Sequence, residues 1–78
     1  MQTLQMTPAL CRAARGYLSW PQMRLANNAG IGLSSVTRFE NGDLTIGYAA
    51  KLAIETAFRE AKIHFHSVHC QPTMEVRP

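Results

Sequence analysis

No aspartate or glutamate occurs before Glu40, and all five acids of this 78-residue chain lie between Glu40 and Glu75. The acid-free stretch carries Arg12, Arg15, Arg24 and Arg38. A net charge of +3 is modest, so its uneven placement says more than its size. A basic N-terminal half suits a polyanionic partner, although a short chain can also reach such an imbalance by chance. Cysteine is scarce as well. Cys11 and Cys70 alone cannot form a disulfide framework, and they point to reduced thiols in a cytoplasmic protein. No apolar run approaches the ~20 residues of a membrane span, so no membrane partner is expected. Met1-Gln2-Thr3 has neither the basic start nor the apolar core of an export signal. So few acids also leave little for catalysis. No paired carboxylates and no Ser/His/Asp grouping stand out, and a non-enzyme without a cofactor is expected.

Hydrophobic residues make up 46% of the chain and charged residues 17%, the balance of an ordered globule. The length allows one domain spanning residues 1–78. Its core must be small, which makes self-association a second source of stability.

Four helices can be read between about residues 8 and 62. Residues 1–6 show no pattern. Thr7-Pro8 opens the first helix with a capping hydroxyl and a proline at its first position. This helix runs to about Leu18, with Leu10, Cys11, Ala14 and Leu18 on one stripe. Cys11 there is expected to be a small buried hydrophobe. Gly16 weakens the helix by ~1 kcal/mol relative to Ala, and its small size suggests a close packing contact. Ser19-Trp20-Pro21 interrupts the helix, with Trp20 packed over the junction. The second helix covers about Gln22 to Ala29 and offers Met23, Leu25, Ala26 and Ala29 to the core. Gly30 is the natural left-handed cap.

The third helix, Leu33 to Glu40, has two faces. Val36 and Phe39, with Ile31 just before them, can face a core. Ser34, Thr37 and Arg38 point elsewhere. Asn41-Gly42 ends the helix. A fourth helix is expected from about Ile46 to Ala61, on a stripe of Ala50, Ala53, Ile54, Ala57, Phe58 and Ala61. Leu52 falls opposite that stripe and should be exposed.

After Lys62 the period changes. Ile63 to His66 alternates as a strand, Ser67 to Thr73 reads as a loop, and Met74 to Arg77 alternates again. These runs over 63–78 form a short C-terminal strand or hairpin. A lone hairpin is marginal in water, so packing or dimerisation should support it. His64, His66, His69 and Cys70 crowd four potential metal ligands into seven residues. Their spacing matches no strong zinc pattern and a second ligand pair is missing, so no metal is expected.

From Leu10 to Asn41 the chain resembles the phage repressor/Cro-type (Xre-like) helix-turn-helix family. The matching residues are Arg15, Gln22, Leu25-Ala26, Ala29-Gly30-Ile31 at the turn, Val36, and the run Arg38-Phe39-Glu40-Asn41-Gly42. Ala61-Lys62-Ile63-His64-Phe65 resembles a small bacterial subgroup with a strand after the four helices. The resemblance implies a mainly α, four-helix repressor-like fold and double-stranded DNA as partner. It also implies base contacts from Leu33, Ser34, Thr37 and Arg38. Phosphate contacts follow from Gln22, Asn41 and Thr45, and Arg24 is a further electrostatic candidate. Arg15 and Glu40 would form an ion pair joining the first and third helices. A homodimer on an inverted repeat is implied too, with Leu52, Ile63, Phe65 and Val76 as candidate dimer contacts. The chain departs from the family pattern at Pro21 and Gly32, where polar caps are usual. Lys51 stands where Leu is common, and Lys62 where Gly is common.

Arg38 is the strongest candidate reader. A guanidinium bidentate to guanine O6 and N7 contributes about 1–3 kcal/mol of discrimination, although the same side chain also suits a phosphate contact or a solvated surface. Two other functions stay open. One is an antitoxin that regulates its own operon and binds a small toxin protein. The other is a protein-interaction module with the same fold and no DNA binding.

Overall fold

The computed structural model describes residues 6–43, 45–68 and 71–76. Among these the chain is mainly helical. It forms α1 (Pro8–Leu18), α2 (Gln22–Ala29), α3 (Leu33–Glu40) and α4 (Tyr48–Glu60), then strands β1 (Ile63–Val68) and β2 (Gln71–Val76). The first three helices end where the local chemistry requires. Thr7 Oγ1 accepts the Leu10 N–H at 3.1 Å, with Pro8 at the first helical position. Gly30 takes φ 73° and closes α2 by donating its N–H to the carbonyls of Ala26 and Asn27. Gly42 sits at φ 95° just past α3. Ser19 ends α1 in the same left-handed region, at φ 58°.

Helix α4 starts two residues later than the periodicity suggests. Gly47 is its N-cap, and Ile46 stays outside the helix with its side chain in the core. An apolar residue just before a helix reads as part of the stripe although it anchors the incoming loop. The helix also stops at Glu60, with Ala61 as its C-cap.

The buried centre is built from Leu25, Val36, Phe39, Ile54, Phe58 and Ile63, with the small residues Cys11, Ala14, Ala26 and Ala57 between them. Met6 joins this core, although the sequence before Thr7 shows no pattern. Trp20 stacks on Phe58, with ring centroids 5.8 Å apart and planes inclined by 18°. That geometry is the offset arrangement that aromatic quadrupoles favour. Two expectations about packing are overturned. Met23 is 51% exposed, because the inner stripe of α2 runs through Gln22, Leu25, Ala26 and Ala29. A methyl group added at Gly16 would meet no atom within 4 Å, so no close contact explains that glycine.

Strands β1 and β2 pair antiparallel, from Ile63 opposite Val76 to Val68 opposite Gln71. The expected loop over Ser67 to Thr73 is therefore mostly strand. Pro72 reads as a strand breaker, but it lies opposite Ser67. In a two-stranded sheet each strand is an edge and tolerates a missing N–H. The hairpin does not stand alone. β1 packs on α4 and β2 on α1, and Ile63 and Met74 reach the core.

Lys62, which turns the chain from α4 into β1, has φ 73°. A side chain in this region costs about 1–2 kcal/mol. Glycine removes that strain but adds about 0.4–1 kcal/mol of unfolded-state entropy. Relief of strain is the larger effect. Lys62→Gly is expected to stabilise the protein by about 0.5–1 kcal/mol. A thermal melt should show a midpoint about 2–8 °C higher. An unchanged or lower midpoint would show that the surrounding chain already compensates the strain.

Candidate nucleic-acid interface

α2 and α3 pack against each other across the short turn Gly30–Gly32. Val36 and Phe39 hold α3 to the core, both fully buried. The opposite side of α3 is open. Leu33 is 39% exposed, and Ser34, Arg38 and Asn41 are exposed as well, while Thr37 is half-buried. Helical spacing brings Ser34, Thr37, Arg38 and Asn41 to one face.

Behind this face lies a polar hub centred on Glu40, whose residue is only 4% exposed. Arg15 on α1 grips its carboxylate bidentately, Nε to Oε2 at 2.7 Å and Nη2 to Oε1 at 2.8 Å. Nη1 of Arg15 donates to the Trp20 carbonyl at 2.9 Å, which ties the pair to the α1–α2 junction. The Cys11 thiol donates to Oε2 at 3.1 Å, and Gln22 Nε2 donates to Oε1 at 3.1 Å. Gln22 Oε1 in turn accepts from Thr37 Oγ1 at 3.0 Å. Arg12 donates to the Glu40 backbone carbonyl. One carboxylate thus connects α1, α2 and α3. Among the described residues no buried side-chain nitrogen or oxygen lacks a partner.

The charges follow from this geometry. Burial pushes the Glu40 carboxyl toward its neutral form. Hydrogen bonds from Arg15, Gln22 and Cys11 outweigh it and hold the pKa below the usual carboxylate value. The bond to Glu40 raises Arg15 further above its ordinary value. Burial, reinforced by the bond to Glu40, pushes the Cys11 thiol far up, so it stays protonated and donates.

A second cluster caps the exposed end of α3. Arg38 Nε donates to Asp43 Oδ2 at 3.0 Å. Asp43 Oδ1 accepts from the Thr45 N–H at 2.9 Å and from the Thr45 hydroxyl. Bonds from Thr45 and then Arg38 pull the Asp43 carboxyl down to about 2. Asp43 therefore steadies Arg38 as an anion. Among the described residues only Nε of Arg38 is engaged, which leaves the terminal nitrogens of its fork for a ligand.

The sequence-derived site residues divide into groups. Leu33, Ser34, Arg38, Asn41 and Thr45 come to the surface around α3 and the loop after it. Gln22 and Thr37 reach the same place, but their side chains bind each other. Arg24 lies over the Trp20 ring, 5.5 Å from its centroid, which holds its guanidinium beside the start of α2. Arg15 and Glu40 form the expected pair. Of the candidate dimer contacts, Leu52 and Val76 are both 41% exposed. Ile63 is not available to a second copy, because it is fully buried in the core of its own chain. The Phe65 side chain, with His69, Cys70 and the His66 side chain, falls outside the described residues. Among those described, no group of three His, Cys, Asp or Glu residues could hold a metal. No described helix is long and apolar enough to cross a membrane.

Sequence reasoning missed four members of the hub, one of them Arg12 on the Glu40 carbonyl. Gln22 occupies the inner stripe of α2 at i, with Leu25, Ala26 and Ala29 at i+3, i+4 and i+7. A polar residue on such a stripe signals a buried partner. Cys11 lies one turn before Arg15 on α1, which places both against Glu40. Thr37 had no separate signal. Compared with known proteins, the chain matches no family model and no curated sequence.

Proposed function

We propose that this chain is a sequence-specific DNA-binding transcriptional regulator of the repressor/Cro type. It works as a homodimer on an inverted repeat, with α3 reading the major groove. One observation carries the reading. α3 is locked from behind by Val36, Phe39 and the Glu40 hub, while Leu33, Ser34, Arg38 and Asn41 stay open on its other side. A recognition helix needs this split between rigid support and polar exposure. Arg38 carries the base reading, and Thr37 and Ser34 add weaker hydrogen bonds. Arg24, Asn41, Thr45 and the backbone N–H of Gln22 lie where phosphates flanking α3 would pass. The phage or mobile-element setting suggested by the resemblance belongs to the same proposal.

The test is selection of duplexes from a random-sequence pool by the purified protein, followed by salt titration. An enriched, two-fold-related motif is expected, with affinity falling steeply as salt rises. Arg38→Ala should fold normally, because it removes only an exposed ion pair of small net value. Its preference at one base pair of each half-site should relax, at about 1–3 kcal/mol per contact. A motif for Arg38→Ala identical to the parent's would remove Arg38 as a base reader. Binding without sequence preference, or without salt dependence, would sink the regulator reading.

A further inference from the structure

Chemistry fixes the direction of every hydrogen bond from Arg15 to Thr37. Arg15 has donors only, and an ionised carboxylate only accepts. Gln22 therefore turns Nε2 toward Glu40 and Oε1 toward Thr37. An amide oxygen cannot donate, so the proton of the bond at 3.0 Å comes from the Thr37 hydroxyl. What Thr37 Oγ1 has left is lone pairs. Its side chain is half-buried beside exposed Arg38, on the open side of α3.

In the major groove the hydrogen-bond donors are the exocyclic amines of adenine N6 and cytosine N4, whereas guanine O6, purine N7 and thymine O4 only accept. We infer that the Glu40–Gln22 relay makes Thr37 an acceptor-only specificity residue. It takes a hydrogen bond from a base amine, adenine N6 or cytosine N4, and is barred from donating to guanine O6 or thymine O4. The inference rests on the DNA-binding reading above and extends it to the chemistry of one contact. Arg15 and Glu40, bound to each other behind α3, act here by orienting Gln22. A threonine without this tie could rotate its proton outward and would bind either kind of edge.

The experiment starts from a duplex selected by the wild-type protein. Each adenine of the half-site is replaced in turn by purine, and each cytosine by pyrimidin-2-one, so that the amine alone is deleted. At one position on the Thr37 side, wild-type binding is expected to weaken about threefold to tenfold, the effect of one neutral hydrogen bond. Thr37→Val keeps the shape and the methyl group. It should bind the amine-bearing and amine-free duplexes equally at that position, while Thr37→Ser should keep the difference. Gln22→Met releases the Thr37 proton and should shrink the difference without moving the rest of the motif.

The analogue scan uses unaltered protein and so needs no variant to fold. If no amine deletion weakens wild-type binding, the inference is wrong. It also fails if Thr37→Val keeps the full sensitivity at that position, because the hydroxyl then plays no part. A wild-type protein that selects no sequence overturns the DNA-binding reading itself and takes this inference with it.

Discussion

Arg15→Met will remove a large share of the protein's stability, about 3–5 kcal/mol. A chain of this length has roughly 4–12 kcal/mol in all. The Arg15 side chain is 21% exposed and that of Glu40 3%. The substitution keeps the apolar length but strands a carboxylate with only Gln22 and Cys11 as donors. The stranded charge, rather than the lost attraction, sets the size of the effect. Urea denaturation at neutral pH measures it. A loss below about 1 kcal/mol would place the pair in the class of surface ion pairs.

The pH dependence gives a second readout of the same substitution. In the wild type the Glu40 pKa is depressed in the folded state. Its contribution is therefore fully present above the unfolded carboxyl pKa of about 4.3, and it is lost as pH falls through the lower folded value. In Arg15→Met the largest of the effects that oppose burial is removed, so the Glu40 pKa is expected to rise. Glu40 then takes up its proton at a higher pH than in the wild type. The gap between the two proteins should be widest near neutrality and narrow below about pH 4. A gap independent of pH would mean that the damage is steric.

Phe58→Ala should be about as harmful, at about 3–5 kcal/mol, the usual cost of emptying a large aromatic site. Phe58 is fully buried and carries the Trp20 ring. Trp20 is the sole tryptophan of the chain, so its emission reports the change directly. The melting midpoint should fall by about 12–40 °C, and the emission should shift to the red in whatever fraction stays folded. Phe58→Leu, which refills most of the volume, should cost less than about 1.5 kcal/mol. The effect should reach the candidate interface. Arg24 rests on Trp20, so loosening the ring frees the guanidinium as well. If Phe58→Ala melts like the wild type, the stack is not holding the α1–α2 junction.

The helix ends were legible because single residues punctuate them. Thr7-Pro8, Pro21, Gly30 and Asn41-Gly42 act within one turn of themselves, and the chain around each is short. The start of α4 was less legible, since an apolar residue such as Ile46 looks alike inside a helix and just before it. The hub was legible only in part. Arg15 and Glu40 came from the family resemblance, while Cys11 and Gln22 read as core and phosphate ligand. Their bonds to Glu40 span 29 and 18 residues, and periodicity within one helix cannot reveal such partners. The distance in sequence between α1 and β2 likewise hid the shelter that α1 gives to the hairpin. Lys62 is the opposite case. The resemblance noted glycine as common at this position, and Lys62 takes φ 73° there.

The Glu40 hub also bears on the entropy of association. Arg15, Gln22, Thr37 and Glu40 have already given up their rotamers in the free chain, and Asp43 restrains Arg38 in the same way. Fixing a mobile side chain during binding costs about 0.5–1.5 kcal/mol each. A ligand arriving at this face would still have Leu33, Ser34 and Asn41 to immobilise, together with the outer part of Arg38. Folding has already met the ordering cost of the others.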